Sequence, residues 1–280
     1  MSFCTDIKNE LCRPEQDEGQ RLCIAKGAAF GMNVGVFQTG NKKTAEYLHK
    51  TLVDCGCAAK SETVTLGKRS AYIITLTDGA FVEELPDCSS DAAFGAFLRG
   101  VFLVCGFASD PEKGYQLEFF LRDKEKTARL SDMINEHGMS VKCSSRRSGS
   151  FLYIKDSEKI SDMLTFMGAM VQSMTVMNVK IYKELRNNVN RTVNFEAANL
   201  DKTIAAAQKQ TDDINYIIEK KGIDWLPDEL RETAKLRLES IELSFTDIGK
   251  RLDPPVSRSG VFRRLKKISQ LAERLRNKGE

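Results

Sequence analysis

Between residues 244 and 276 the apolar positions recur at helical spacing, stop, and recur again. The segment SFTDIGKRLDPPVSRSGVFRRLKKISQLAERLR opens with Ser244 and Asp247, an S-x-x-D helix start. Asp253-Pro254-Pro255 cannot continue a helix, so the first helix ends at Leu252. Ser257 is the residue type that caps the next one. Within it, Val261, Leu265, Ile268, Ala272 and Leu275 step by four, three, four and three. At about 100° per residue these fall on one stripe and predict a core-facing side. The opposite face collects Ser259, Arg263, Lys266, Lys267 and Gln270. Arg258 and Arg264 flank the apolar stripe, and Phe262 falls between the two faces. A helix, a tight break and a second helix with one anchored and one cationic face is the layout of a helix-turn-helix DNA reader.

Upstream, residues 200–221 and 228–239 read as helices that support the reader, with Trp225-Leu226-Pro227 between them as a hydrophobic plug. The first two-thirds of the chain alternates helices and short strands. Ser2 or Thr5 starts a short amphipathic helix. Residues 21–32 form a helix rich in Gly and Ala, 34–38 a strand, and 44–55 a helix capped by Thr44. Residues 62–66 and 70–76 are strands joined by a hairpin at Gly67-Lys68-Arg69. The order then repeats: a small-residue helix at 91–104, a strand at 116–121 and a helix at 124–136 ending at Gly138. A second hairpin pairs 140–144 with 151–155 around Arg146-Arg147-Ser148-Gly149, and a helix follows at 157–167. The same sequence of elements stated twice reads as an internal duplication. Its two Gly/Ala-rich helices are expected to pack at a pseudo-two-fold axis, with the sheets forming one concave surface.

Charge sharpens the reading of the C-terminus. From Lys250 to Glu280 there are ten Lys/Arg and three Asp/Glu, a net +7, whereas all 280 residues sum to +3. The positive field is therefore concentrated where the reader helix lies, as phosphate binding requires. No apolar run is long enough to span a bilayer, and the first residues carry two acids and no apolar segment, so neither membrane nor export is expected. The eight cysteines then read as reduced thiols of a cytosolic protein. Cys55-Gly56-Cys57 is the only close pair. With only His49 and His137 to add, it makes no zinc pattern, and Gly56 reads as a helix stop.

FLRGVFLVCG (97–106) resembles the LAGLIDADG helix of homing endonucleases, and residues 27–33 are a weaker copy. In that family two such helices form the interface, each ending in a carboxylate that binds the catalytic divalent metal. Alignment on Gly100 and Gly106 places Cys105 at one acid position, and alignment on Gly27 places Met32 at the other. Neither suits Mg²⁺, which needs oxygen ligands. A nuclease-like scaffold without its acids, joined to a helix-turn-helix, resembles the WhiA family of bacterial DNA-binding regulators. The resemblance is carried by FLRGVFLVCGFASDPEKGYQLEF (97–119), KELRNNVNRTVNFEAANLDKTIAAAQKQ (183–210) and PPVSRSGVFRRLKKISQLAERLR (254–276). It implies a role in sporulation, cell division or chromosome segregation. The first repeat departs from the pattern: only about ten residues separate its two helices, room for one strand rather than a pair.

The expected architecture is α+β: a duplicated LAGLIDADG-like domain over residues 1–185, a linker over 186–199, and an all-α helix-turn-helix domain over 200–280. Asn187, Asn188, Asn190, Asn194 and Asn199 suggest the linker, because asparagine disfavours helix interiors. An ordered strap is the other reading, since Val189, Val193 and Phe195 alternate. The expected DNA-binding residues are Ser257, Arg258, Ser259, Arg263, Arg264, Lys266, Lys267 and Gln270. The expected function is sequence-specific transcriptional regulation in the cytoplasm, at the nucleoid, without nuclease activity, metal or cofactor. Double-stranded DNA is the expected partner, with another transcription factor or RNA polymerase as further candidates. The competing classes are an interaction scaffold and a metal-dependent endonuclease. No triad, phosphate loop or dinucleotide fingerprint is present to support another enzyme.

Overall fold

Two helices built from small residues set the geometry of the first half of the molecule. The fold is that of a computed structural model of the chain, which describes residues 2–277 other than 67, 68, 78, 80, 82–84 and 148. Helix α1 (Phe3–Leu11) is capped by the Ser2 hydroxyl, which accepts from the Thr5 N–H. Then follow α2 (Glu18–Gly31), β1 (Val36–Thr39), α3 (Lys42–Asp54) and the hairpin β2 (Ala59–Leu66) and β3 (Arg69–Leu76). The second round comprises α4 (Asp91–Cys105), β4 (Gly106–Ala108), β5 (Leu117–Leu121), α5 (Lys124–Glu136), β6 (Lys142–Arg146), β7 (Gly149–Ile154) and α6 (Ser157–Met167). Cores of Ile24, Leu48, Leu52, Ile74, Phe97, Phe102, Phe119, Leu130 and Leu152 lie between helices and sheets, almost wholly excluded from solvent.

The duplication is written into the crossing of α2 and α4. A Cβ on Gly27 would meet the Phe97 carbonyl oxygen at 2.0 Å, and one on Gly100 would meet the Ile24 carbonyl oxygen at 2.1 Å. The two contacts are reciprocal: 27 and 100, 24 and 97, and 32 and 105 are all 73 apart. Beyond the helices the spacing grows to 82, the distance from the cap Asn41 to the cap Asp123 and from Gly56 to Gly138. The nine extra residues of the second round carry β4 and its turn. As a result the sheets differ: three strands in the order β1-β3-β2, and four in the order β4-β5-β7-β6, all antiparallel. They are two separate sheets, one from each round of the duplication.

The remaining elements are α7 (Met170–Lys221), a short 3-10 turn (Ile223–Trp225), α8 (Asp228–Glu239), α9 (Phe245–Arg251) and α10 (Arg258–Asn277). The chain divides into two compact units, Met1–Leu185 and Arg186–Glu280, and the division falls inside α7. Residues 186–199, read from sequence as a linker, are therefore helical. Their asparagines are all exposed, where each costs only a few tenths of a kcal/mol relative to a good helix former. Leu185, Val189, Val193, Leu200 and Ile204 fall at four- and seven-residue steps, a helical rather than an alternating period. Two further corrections are local. Asn41, not Thr44, caps α3, and Thr44 is buried as the recipient of that cap. Trp225 remains substantially exposed, so Leu226 alone is the plug between α7 and α8. Of the two predicted hairpin turns, Gly67, Lys68 and Ser148 lie outside the described residues.

Candidate nucleic-acid interface

The second unit is organised around the break between α9 and α10. Ser244 Oγ accepts from the Asp247 N–H at 3.2 Å and donates to the Asp247 carboxylate at 2.5 Å, closing the expected cap. That hydroxyl holds the Asp247 carboxyl below its ordinary range. Ser257 Oγ accepts from the Gly260 N–H at 3.2 Å and starts α10. The turn folds back so far that Val256 N donates to the Gly249 carbonyl at 2.9 Å. A Cβ on Gly249 would stand 2.1 Å from the Val256 oxygen, so the turn needs glycine there. Val261, Leu265, Ile268 and Ala272 are buried and pack with Ile214, Ile217, Leu230, Ala234, Ile248 and Leu252.

With that stripe anchored, Ser257, Arg258, Ser259, Arg263, Lys266, Lys267 and Gln270 are all exposed. The structure thus gathers seven of the eight sequence-predicted residues on the surface of one helix and its cap. Arg264 is placed differently. It is part-buried, donates to the Glu229 carbonyl at 3.3 Å and lies 3.7 Å from the Glu229 carboxylate, tying α10 to α8.

Two arginines that sequence reading did not single out shape this surface from behind. Arg237, 2% exposed, donates to the carbonyls of Ile241 (3.2 Å) and Leu243 (2.9 Å), and its guanidinium lies 5.4 Å from the Phe245 ring centre. Desolvation lowers its pKa from the usual arginine range. Arg276 donates to the buried Asp213 at 2.7 Å and lies over Tyr216, fastening the end of α10 to α7. The available signal was weak: a lone arginine in an amphipathic helix reads as solvated surface unless its position on the apolar stripe is weighed.

The other candidate site is the carboxyl end of α2 and α4. Met32 closes α2 and is buried, and Cys105 ends α4 with its sulfur turned back to the Val101 carbonyl at 3.3 Å. Met32 and Cys105 share the 73-residue offset that relates Gly27 to Gly100. A cleft of about 620 Å³ opens beside them, lined in part by Asn33, Gln38, Arg122 and Lys126. Burial pushes the Cys105 thiol up to about 12, with Lys8 and Lys126 acting weakly in the opposite direction. Lys126 Nζ donates to the Phe30 carbonyl at 3.1 Å. The Asp123 carboxylate in the cleft is the cap of α5, accepting from the N–H groups of Glu125 and Lys126. Asp110 sits in the turn after β4, where it accepts from the Glu112 N–H. A thioether, a buried thiol and two committed carboxylates do not fit a hard divalent cation. Among the described residues no three His, Cys, Asp or Glu side chains converge as metal ligands.

Comparison with known proteins agrees with both halves. A family model described as the WhiA C-terminal HTH domain matches residues 189–272, and one described as the WhiA LAGLIDADG-like domain matches residues 94–186. The probable cell division protein WhiA of Clostridium novyi (strain NT) is 45% identical over 318 aligned positions covering all of both chains. Its counterpart in Thermoanaerobacter pseudethanolicus is 35% identical, with 99% of each chain covered. A full-length WhiA crystal structure from Thermatoga maritima superposes with a TM-score of 0.63 at 26% identity, covering 98% of this chain and 99% of that one. The chain belongs to the WhiA family: it has a LAGLIDADG-like N-terminal domain and a C-terminal helix-turn-helix domain. No helix among the described residues is long and apolar enough to cross a membrane.

Proposed function

From that family membership, we propose that the protein is a sequence-specific DNA-binding transcriptional regulator of cell division, sporulation or chromosome segregation that works in the cytoplasm, at the nucleoid. The observation that carries the reading is α10: an apolar stripe fixed in its own core and an exposed face of Ser259, Arg263, Lys266, Lys267 and Gln270. A helix so anchored enters a major groove with side chains directed at base edges and phosphates. Residues 200–280 carry the DNA contact, and another transcription factor or RNA polymerase is the further partner to seek. A competition gel shift of the full chain tests the reading. Duplexes enriched from a random pool should displace the probe at concentrations where scrambled duplex does not. Equal displacement by both would leave an interaction scaffold with incidental DNA affinity.

We also propose that the N-terminal domain has no nuclease activity, because the residues at its two metal positions are Met32 and Cys105 and the nearby carboxylates are held as turn and helix caps. Plasmid incubated with the protein and Mg²⁺ or Mn²⁺ should stay supercoiled. Nicking that survives repurification and is lost in Asp123→Asn or Asp110→Asn would overturn this.

A further inference from the structure

An exposed phenylalanine stands near the amino end of α10, beside the cationic face, paired with a partly buried one from the start of α9. Phe262 is 49% exposed, an unusual position for phenylalanine in a surface that is otherwise polar. Its ring centre lies 6.0 Å from that of Phe245 at an interplanar angle of 50°. Phe245 is in turn held by Arg237, whose buried guanidinium is fixed on two backbone carbonyls. The pair, with Ser257, Arg258 and Ser259, lines an open cleft of about 580 Å³. Phe245 packs against the unit's core, whereas Phe262 does not: Val261 and Leu265 fill the interior and Phe262 is left exposed.

Resting on the DNA-reading function proposed above, we infer that the Phe245–Phe262 pair reads the C5-methyl group of thymine in the major groove. Thymine alone among the bases of unmodified DNA presents an apolar group in that groove, and phenylalanine is among the side chains that meet it. Charge favours nucleic acid over an apolar protein partner, because Arg258 lines the same cleft and Arg263 and Lys266, on the same helix, are exposed as well. An aromatic ring has only two side-chain torsions to fix, and Phe262 is already packed on Phe245, so the contact orders little flexible chain. Cationic neighbours supply position on the phosphates, and the rings supply discrimination that no charge can.

The test uses the full chain and a duplex enriched from a random pool. Each thymine of that duplex is replaced singly by uracil, which removes only the methyl group. The parent protein should lose about fourfold in affinity at one or two positions, the effect of burying one methyl group. Phe262→Ala should bind the thymine and uracil duplexes equally, and Phe262→Leu should keep part of the preference. Circular dichroism of the exposed-site variants checks that the fold persists. The inference is overturned if the parent selects a sequence yet tolerates uracil everywhere, or if Phe262→Ala retains the fourfold preference. It is equally overturned if Phe262→Ala abolishes binding to RNA polymerase while leaving the thymine preference intact, which would make the pair a protein contact. A parent that enriches no sequence at all refutes sequence-specific reading itself, and this contact with it.

Discussion

Replacing Gly100 with alanine adds one methyl group at the point where α2 and α4 touch. That methyl carbon would stand 2.1 Å from the Ile24 oxygen and 2.7 Å from the Ala28 nitrogen. Both are backbone atoms of a helix and have no rotamer to escape into, so the helices must separate by about 1 Å. Overpacking of a well-filled core costs about 1–3 kcal/mol, and a backbone clash belongs at or beyond the upper end. Alanine returns about 1 kcal/mol through its higher helix propensity. The net expectation is a loss of about 2 kcal/mol from the first unit. With a urea dependence of about 2 kcal/mol per molar, the midpoint falls by roughly 1 M. The single tryptophan, Trp225, lies in the second unit and provides an internal control. Far-UV circular dichroism should register the early transition while tryptophan fluorescence holds its parental midpoint. Gly114→Ala is the matched substitution, because its methyl would meet nothing within 4 Å; it should change stability by less than about 0.5 kcal/mol. If Gly100→Ala and Gly114→Ala unfold together, the close helix crossing is not what holds the first unit.

Arg263→Ala should weaken binding to an enriched duplex more than to a scrambled one, since a bidentate arginine–guanine contact discriminates by about 1–3 kcal/mol. Lys267→Ala should weaken both alike and reduce the salt slope by about one; titrations at several salt concentrations separate the two. Arg264→Ala, by contrast, should lower the stability of the second unit slightly, by no more than about 1 kcal/mol in urea unfolding, and leave the salt slope unchanged, because its guanidinium is engaged by Glu229. For the thiols, alkylation at pH 8 followed by peptide mapping should modify exposed Cys143 first and Cys105 only after unfolding, since the Cys105 thiol titrates near 12.

Most of the architecture could be read from periodicity and residue type. The reader helix was visible because five apolar residues at four-three spacing leave no alternative face to bury. The duplicated helices were visible because Gly27 and Gly100 are the residue that a backbone contact demands. Other features were hidden for identifiable reasons. Strand β4 is only Gly106–Ala108 and follows α4 without a break, too short for any alternation to register. The middle of α7 was obscured by asparagines, whose preference against helix is outweighed by helical neighbours on both sides. Arg237 and Arg264 were indistinguishable in sequence from solvated charges, because what sets them apart is the carbonyls they meet across the fold.

The carboxyl ends of α2 and α4 show why a pair of metal-binding acids would not be simple to install there. Lys8 and Lys126 both lie within electrostatic reach of the Cys105 sulfur, and Lys126 is already tied to the last turn of α2. These ammonium groups stand where helix dipoles favour positive charge. An aspartate introduced at position 105 would meet a resident cation before it met a divalent ion, and the product would be an internal ion pair. Installing a metal site would require the lysines to leave as well as acids to enter, beside a crossing that tolerates no added atom. At this crossing the counter-charge for any added acid is thus already carried covalently by the protein's own lysines, so a new carboxylate there would be neutralised from within rather than by an ion drawn from solution.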